Sequence, residues 1–418
     1  MHFSTIRNLL FRLSLAKVKA VIEIKTINSG FWFISDCDTM KIPSVIYLLI
    51  LINSILLTTN AQVINMRDVT QEWKTDLNNR NVELNELRVL LKRDAIPPID
   101  NPEFWNSDKA FKTYFKNEPV TVVEFNGEAK AYPHSILMYH EIVNDVVGGS
   151  YVSITYCPLC NSALVFNRNV RFDGNDYFLD FGTSGMLRKS NLVMWDRQTE
   201  TWWQQLSGTG IVGKLAGAEL ELLPSKILSL TEYFDNNPDG QVLSTKTSTS
   251  ANKSRYGSNP YVKYDDLENN APRLFFEEVD PRLPAMERVV HVPAGKIDKV
   301  FAYSLLQEEH VINDVSGSEA FVLFHEFGSV SVLDDKDIRE GKDLGSVTVF
   351  NRNVEEGVLT FKFVNGKFLD EQTGSSWNIN GKCFEGKLMG KQLMPRYYGV
   401  HFAFAWFSFY PESVLYTE

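Results

Sequence analysis

Two cysteines three residues apart are the side chains of this 418-residue sequence that best suit chemistry. Cys157 and Cys160 enclose Pro158 and Leu159, and they follow an apolar run that ends at Tyr156. A turn that contains proline at the end of a strand can direct both sulfur atoms to one point. Such a pair can ligate a soft metal ion, cycle between dithiol and disulfide, or form a permanent local disulfide.

The surrounding sequence ranks these three chemistries. A permanent disulfide would close a very short ring, for which loop entropy gives only about 2 kcal/mol, against about 5 kcal/mol for a loop of about two hundred residues. In thioredoxin-like proteins the motif opens a helix of several turns, whereas Asn161–Phe166 has the composition of a strand. A zinc ribbon requires a second cysteine pair, which this sequence lacks. We therefore interpret the pair as part of a mixed cysteine and histidine site.

Two histidines lie near enough in sequence to supply a third ligand. We favour His140 over His134, and the carboxylates of Glu141 and Asp145 lie close to them in the chain. A lone histidine is more often a hydrogen-bonded structural residue than a ligand, so His140 is the weakest member of the set. Sulfur ligands prefer soft or borderline ions, and copper or zinc is therefore expected rather than calcium or magnesium.

The predicted function is that of a secreted protein whose thiol-centred site binds copper or zinc through Cys157, Cys160 and His140. Two alternatives stay open. One is a non-catalytic extracellular binding module in which the two cysteines form a local disulfide. The other is a secreted thiol–disulfide oxidoreductase, which requires a Cys157 thiol of low pKa. The sequence leaves open whether the protein is an enzyme, and it indicates no partner.

The prediction of secretion comes from the segment that begins at Met40. One lysine is followed by an apolar run from Val45 to Leu57, and small and polar residues then lead to Ala61. This is the layout of a signal peptide. The apolar run is shorter than the roughly 20 residues that a membrane-spanning helix needs, so no stable membrane span is expected after cleavage.

The charge balance argues against one class of partner. The chain carries 42 Lys and Arg against 52 Asp and Glu, a formal net charge of −10. Removal of the leader makes the balance more acidic, since the leader holds more bases than acids. A phosphate backbone would be repelled by such a surface, and no cluster of basic residues offsets it. Nucleic-acid binding is not expected.

An internal repeat organises the rest of the chain. The hexapeptide Val165–Val170 recurs letter for letter as Val349–Val354. Upstream, the run from His140 to Asp145 is echoed by the run from His310 to Asp314. Downstream matches follow in the same order, with Asp196, Thr199, Trp203 and Gly208 matching Asp370, Thr373, Trp377 and Gly381. Such ordered matches predict two diverged copies of one unit, of which only the first carries the cysteine pair.

Short runs rich in Val, Ile, Tyr and Phe, separated by Gly, Asn or Asp, predict a mainly β fold with few short helices. The predicted strands are Val120–Phe125, Tyr151–Tyr156, Ala163–Phe166, Tyr177–Phe181, Leu192–Trp195, Phe321–His325, Ser346–Phe350 and Val358–Val364. The predicted helices are Val82–Asp94 and Ser135–Val143.

These patterns divide the chain into six segments. They are an upstream extension of the gene model at 1–39, a signal peptide at 40–61, a helical lead-in at 62–95, a first β-rich repeat with the cysteine site at 96–243, a polar linker and connector at 244–295, and a second β-rich repeat without the pair at 296–418.

Several longer motifs resemble a family known as domain of unknown function 3179. They are Ala131–Pro133, His140–Asp145, Thr155–Cys160, Ser184–Leu187, Ser190–Met194 and Asp196–Thr199. The resemblance extends over about residues 96–418. It implies that His140, Cys157 and Cys160 are a family feature, and it implies no reaction. One departure is Thr201–Trp203, where the family tends to have Ser-Leu-Trp, which affects local packing alone.

Overall fold

The computed structural model describes residues 72–247, 253–293, 295 and 297–417, which belong to one compact unit of the chain. The predicted upstream extension at 1–39 and the predicted signal peptide at 40–61 lie outside these residues. Among the helices that the structure describes, none combines the length and the apolar composition needed to cross a membrane.

The described residues form a mainly β fold with five short α-helices, and this confirms the predicted mainly β fold class. The helices are α1 (Ser107–Ala110), α2 (His134–His140), α3 (Leu230–Asn236), α4 (Tyr303–Glu309) and α5 (Ala403–Phe409). The strands are β1 (Leu87–Val89), β2 (Phe104–Trp105), β3 (Pro119–Phe125), β4 (Glu128–Pro133), β5 (Ile142–Val147), β6 (Ser150–Cys157), β7 (Ser162–Asn167), β8 (Asn169–Phe172), β9 (Asn175–Phe178), β10 (Phe181–Arg188), β11 (Asn191–Asp196), β12 (Trp202–Gln204), β13 (Gly210–Val212), β14 (Leu222–Leu223), β15 (Lys226–Ser229), β16 (Gln241–Leu243), β17 (Arg288–Val292), β18 (Lys299–Ala302), β19 (Val311–Ser316), β20 (Glu319–Glu326), β21 (Ser346–Asn351), β22 (Asn353–Val354), β23 (Gly357–Val358), β24 (Phe361–Val364), β25 (Lys367–Asp370), β26 (Ser376–Trp377), β27 (Cys383–Glu385), β28 (Gly399–Phe402) and β29 (Val414–Leu415).

Two sheets hold the cysteine pair. The first has the order β14-β7-β6-β5, and the second has the order β1-β10-β11-β12-β13. An eight-stranded sheet, β19-β20-β21-β15-β3-β4-β16-β2, joins strands from the two ends of the chain, since β15 pairs with β21. Apolar side chains from all these sheets share one large buried core, which includes Tyr156, Phe166 and Trp203.

Strand pairing follows one plan in the two halves of the chain. In the first half β15 and β4 flank β3 antiparallel, and β16 then pairs parallel with β4. In the second half β28 and β18 flank β17 antiparallel, and β29 pairs parallel with β18. This is the arrangement that a tandem repeat predicts, although the repeat itself stays a prediction.

Side-chain contacts at the matched positions are also alike. The carboxylate of Asp196 accepts hydrogen bonds from the Thr199 hydroxyl and from Trp203 Nε1, the latter at 2.9 Å. Asp370 accepts the corresponding bonds from Thr373 and from the indole of Trp377, the latter at 3.0 Å. A buried carboxylate thus closes a turn and orients a buried indole in each half.

The predicted helix at Val82–Asp94 is wrong. The chain forms a 3₁₀ turn at Leu84–Glu86 and then β1, which pairs antiparallel with β10. Leu87 and Val89 are buried and Arg88 between them is exposed, a period of two that suits a strand. The leucine spacing resembled that of a helix, but pairing with the free edge of β10 overrides it. The predicted helix at Ser135–Val143 is present as α2, which begins at His134 and ends at His140.

The connector between the halves is exposed at Lys253–Arg255, as its polar composition predicts, and is buried at other positions. Ser244 and Asn259 are buried, and so are Tyr264 and Asp265 farther along. The backbone N–H of Ser244 donates to the carbonyl of Glu103 at 2.7 Å. Polar side chains are tolerated in such a segment because hydrogen bonds to the two halves satisfy them.

Candidate functional site

The turn between β6 and β7 carries the two cysteines. Cys157 is the last residue of β6, Pro158–Cys160 forms a 3₁₀ turn, and Asn161 takes the left-handed conformation with φ of 47°. Proline suits the first position of such a turn because its φ is fixed and its missing N–H is not needed there. Asn161 tolerates positive φ better than most residues, so the chain can turn directly into β7.

Both sulfurs lie against one carbonyl oxygen. Cys157 and Cys160 are buried free thiols, and their Sγ atoms lie 3.8 Å and 3.4 Å from the carbonyl oxygen of Ser190. Ser190 belongs to the tight turn between β10 and β11, where Lys189 and Ser190 both have positive φ. The two sheets thus meet at the cysteine pair.

The two thiols differ in acidity. Burial raises the pKa of Cys157, but hydrogen bonds from the Cys160 thiol and from the backbone of Leu192, Cys160 and Leu159 outweigh it and lower that pKa below the ordinary value. Burial and the neighbouring Cys157 sulfur raise the pKa of Cys160 well above its ordinary value. Cys157 is therefore the more acidic thiol of the pair, and Cys160 is the less acidic thiol that donates to it.

A cavity of about 440 Å³ opens beside Cys157. Its apolar lining comes from Leu90, Leu91, Ile96, Pro158, Leu159, Met186, Leu187, Leu192 and Leu274. Its polar lining comes from Cys157, Glu141, Thr183, Tyr261 and Arg273. Cys160 does not line the cavity and is fully buried, so a molecule in the cavity meets the more acidic sulfur first.

Glu141 places a carboxyl group in the cavity. It follows α2 as its left-handed C-cap with φ of 58°, and its carbonyl accepts the Tyr156 N–H at 2.7 Å. This backbone bond brings Glu141 next to the end of β6 and hence next to Cys157. Burial, with a smaller contribution from the Cys157 charge, raises the pKa of Glu141 to about 8. At neutral pH the group is mostly a carboxylic acid that can donate a proton.

The predicted third ligand, His140, has both ring nitrogens engaged elsewhere. Its Nδ1 lies 2.7 Å from the carbonyl oxygen of Pro97, and its Nε2 lies 2.6 Å from the hydroxyl of Tyr256. His140 is thus a hydrogen-bonded structural residue in this fold. The next residue in the chain, Glu141, is the one that lines the cavity.

The other candidates near the pair are also engaged. His134 Nε2 lies 2.9 Å from the Thr121 hydroxyl, and burial lowers the pKa of His134 to about 3. Asp145 accepts from the Tyr132 hydroxyl and forms an ion pair with Lys130. Among the residues that the structure describes, no three His, Cys, Asp or Glu side chains come together in a group suited to a metal ion.

Three cavity residues come from the connector, which no sequence pattern had linked to the site. They are Tyr261, Arg273 and Leu274. The Tyr264 hydroxyl donates to the Leu159 carbonyl at 3.1 Å and accepts the Arg273 N–H at 3.3 Å, so one phenol ties the connector to the cysteine turn. No spacing in the sequence relates these residues to Cys157, because more than a hundred residues separate them.

The N-terminal segment supplies the remaining wall. The N–H groups of Leu90 and Leu91 both donate to the carbonyl of Gly185, at 2.9 Å and 3.1 Å. Gly185 has φ of +78°, and a Cβ built there would lie 2.2 Å from the Leu91 carbonyl oxygen. Only glycine permits this close approach of the two backbones. The segment wrongly predicted as a helix, Val82–Asp94, is thus part of the site.

Comparison with known proteins gives one match. A family model described as a protein of unknown function, DUF3179, matches residues 93–413, which is most of the chain. No curated protein and no solved structure gave a significant match.

Proposed function

The chain belongs to the DUF3179 family, and we propose that it is a thiol–disulfide oxidoreductase that acts through Cys157 and Cys160. One observation carries the proposal: the cysteine of lowered pKa lines a cavity, and its partner of raised pKa is fully buried and lies near the same Ser190 carbonyl without lining the cavity. This is the order in which an attacking and a resolving thiol must stand. Of the three chemistries that the motif allows, dithiol exchange is the one this arrangement favours.

The reaction follows from the two acidities. The Cys157 thiolate attacks one sulfur of a disulfide in the cavity and forms a mixed disulfide, and the other substrate sulfur leaves as a thiolate. Glu141, which is protonated at neutral pH, is placed to give that thiolate its proton. Cys160 then attacks the Cys157 sulfur, and its proton goes to the departing second sulfur of the substrate. The second substrate thiol leaves, and the protein holds a Cys157–Cys160 disulfide.

The complete reaction transfers two electrons and two protons from the protein to the substrate. The substrate disulfide becomes two thiols, and the protein dithiol becomes a disulfide. A second dithiol compound returns the protein to its starting state by the same steps in reverse. Secretion, from the pattern that begins at Met40, is kept as part of the proposal, because an oxidising compartment supplies disulfide partners.

The test is the alkylation rate of each thiol as a function of pH. The full chain is purified without chelator or reductant and treated with iodoacetamide, and the modified residues are counted by mass spectrometry. We expect Cys157 to react with a midpoint below the ordinary thiol pKa of about 8.5, and Cys160 to stay unmodified over that range. Cys383, a buried thiol in the second half whose pKa burial raises, is the internal control.

A second measurement separates dithiol exchange from metal binding. Cys160→Ser should accumulate a mixed disulfide at Cys157 with 4,4′-dithiodipyridine, because the resolving thiol is missing. One copper or zinc ion per chain that is lost in Cys157→Ser, together with no exchange, would contradict the proposal and favour the copper or zinc site instead. A permanent Cys157–Cys160 disulfide that resists dithiothreitol would favour the binding module.

A further inference from the structure

Arg273 brings a positive charge to the rim of an apolar cavity. It is the one Lys or Arg among the described residues that line the cavity, and it has no ion pair among the described residues. Its neighbour Lys189, in contrast, pairs with Glu277 at 3.2 Å. An unpaired cation at a site whose lining is largely apolar indicates a ligand with an anionic end.

Two aromatic rings hold the guanidinium in place. Arg273 Cζ lies 5.5 Å from the ring centroid of Tyr261 and 5.7 Å from that of Tyr264. Contact with ring faces leaves the N–H donors at the guanidinium edge available, and that edge matches the two oxygens of a carboxylate. The acid in the same cavity, Glu141, does not oppose an anion at neutral pH because it is then mostly protonated.

Most of the other residues that line the cavity are apolar. Leu90, Met186 and Leu274 supply hydrocarbon surface, and Leu90 remains 39% exposed in the absence of anything that covers it. The volume of about 440 Å³ falls in the lower part of the range of small-molecule sites, which is about 300–1,000 Å³. The cavity therefore suits a small molecule or a single long side chain.

We propose that the cavity binds a small dithiol or disulfide whose hydrocarbon chain ends in a carboxylate, with that carboxylate on Arg273 and the reacting sulfur at Cys157. This inference rests on the proposed function and adds the class of substrate. In the reductive direction, a substrate thiolate attacks the Cys157–Cys160 disulfide, the substrate's second thiol resolves the mixed disulfide, and the substrate becomes a cyclic disulfide. The protein gains two electrons and two protons.

The probes are dihydrolipoate and its neutral amide, dihydrolipoamide, which share the dithiol and the hydrocarbon chain. The oxidised full chain is mixed with each, and the return of free Cys157 is followed by quenched alkylation and mass spectrometry. We expect the carboxylate to react roughly tenfold to a hundredfold faster, as expected for one charge-assisted hydrogen bond. In Arg273→Gln the rate with dihydrolipoate should fall to that with the amide, and the amide rate should not change.

Arg88→Gln is the matched control. Arg88 is an exposed arginine whose Cζ lies 5.4 Å from the Phe276 ring, and it does not line the cavity. Loss of the preference for the carboxylate in this variant as well would mean general attraction by surface charge and would overturn the inference.

The two proposals fail in different ways. Equal rates for the two probes, unchanged in Arg273→Gln, would overturn the assigned substrate class and leave dithiol exchange standing. No reaction of either probe, together with no reaction of the reduced protein with neutral 4,4′-dithiodipyridine, would overturn the proposed function and this inference with it.

Discussion

The turn after β6 and the turn after β20 occupy the same place in the two halves of the chain but differ in chemistry. In the first half the Glu141 carbonyl accepts the Tyr156 N–H at 2.7 Å, and in the second the His310 carbonyl accepts the His325 N–H at 2.8 Å. Glu141 and His310 are both left-handed helix C-caps, with φ of 58° and 59°. The two halves share this backbone geometry, and the residues at the matched positions differ.

The two turns themselves are very different. The first turn, Pro158–Asn161, is short and brings back Cys160 beside Cys157. The second runs from Phe327 to Gly345 and starts from Glu326, which stands where Cys157 stands in the first half. There the His310 Nδ1 lies 3.1 Å from the His325 carbonyl oxygen, and the His310 ring stacks on Phe363 at 4.2 Å. The chemical difference between the two halves therefore lies in the turn and the helix cap rather than in the sheets.

The structure also corrects the sequence register between the halves. The repeat suggested that His310 is the counterpart of His140, but the shared backbone geometry makes Glu141 its counterpart. The run before Asp314 is one residue shorter than the run before Asp145, so matching the histidine letters shifts the alignment by one position.

The largest expected effect on the rate of disulfide exchange comes from the replacement of Cys157 in the first half. Cys157→Ser should lower the rate of exchange with 4,4′-dithiodipyridine at least about a thousandfold, because no other cysteine among the described residues lines the cavity. Glu326→Gln, at the equivalent position, should leave the rate unchanged. Release of thiopyridone, followed by absorbance, measures both. A comparable loss in Glu326→Gln would mean that the second turn takes part in the reaction.

The two helix caps should also differ in their effect on rate. With an alkyl disulfide, whose leaving thiolate needs a proton, Glu141→Gln should lower the rate at pH 7 by roughly a hundredfold. The wild-type rate should fall as the pH rises through about 8 and Glu141 ionises, and the variant should lose that fall. His310→Gln should keep the wild-type pH profile. An unchanged profile in Glu141→Gln would remove Glu141 from the mechanism.

Two buried carboxyls that cap equivalent helices should differ in their effect on stability. Glu118 Oε1 accepts the Ser135 N–H, and Glu287 Oε1 accepts the Ser304 N–H. Burial raises the pKa of Glu118 to about 7. It raises that of Glu287 too, against the opposing charge of the neighbouring Arg288.

A raised pKa means that the folded protein holds the Glu118 proton more tightly than the unfolded chain does. Its contribution to the free energy of unfolding is therefore present below about pH 4.5 and is lost as the pH rises through about 7. Glu118→Gln should remove up to about 3 kcal/mol of this pH dependence, and Glu287→Gln should remove less. Urea unfolding at pH 5 and pH 8 tests this. If the free energy of unfolding changes between the two pH values by the same amount in wild type and in Glu118→Gln, the prediction is contradicted.

The smallest effect tests whether the halves are equivalent. Thr199→Val and Thr373→Val each remove a hydroxyl that donates to the buried Asp196 or Asp370. We expect each to lower the free energy of unfolding by about 1 kcal/mol. Urea titration of the two variants side by side measures the difference. A cost in only one half would show that the matched turns contribute unequally to stability.

Local patterns predicted much of the fold. Strands such as β6, β7 and β11 were found within a residue or two, because alternating burial and β-branched composition act over short range. Two predicted strands were divided: Tyr177–Phe181 falls on β9 and the first residue of β10, and Val358–Val364 falls on β23 and β24. Local periodicity does not show where a chain leaves one partner strand for another.

The site was only partly predictable for a related reason. The cysteine pair is local in sequence, and its spacing identified it. Proximity in sequence favours His140 as a ligand, whereas its hydrogen bonds go to Pro97 and Tyr256. Arg273 and Leu274 reach the cavity only because the connector folds back over the turn. Such contacts depend on tertiary packing, and no periodicity or spacing in a single sequence encodes them.

The carbonyl of Ser190 has a consequence for redox potential. It lies 3.4 Å from Cys160 Sγ, which can donate its thiol proton to it, and it loses that donor when the two sulfurs join as a disulfide. A buried acceptor left without a donor costs free energy, so the carbonyl stabilises the reduced protein. Each 1.4 kcal/mol of such preference makes a two-electron couple about 30 mV more oxidising. The turn between β10 and β11 thereby biases the pair toward accepting electrons.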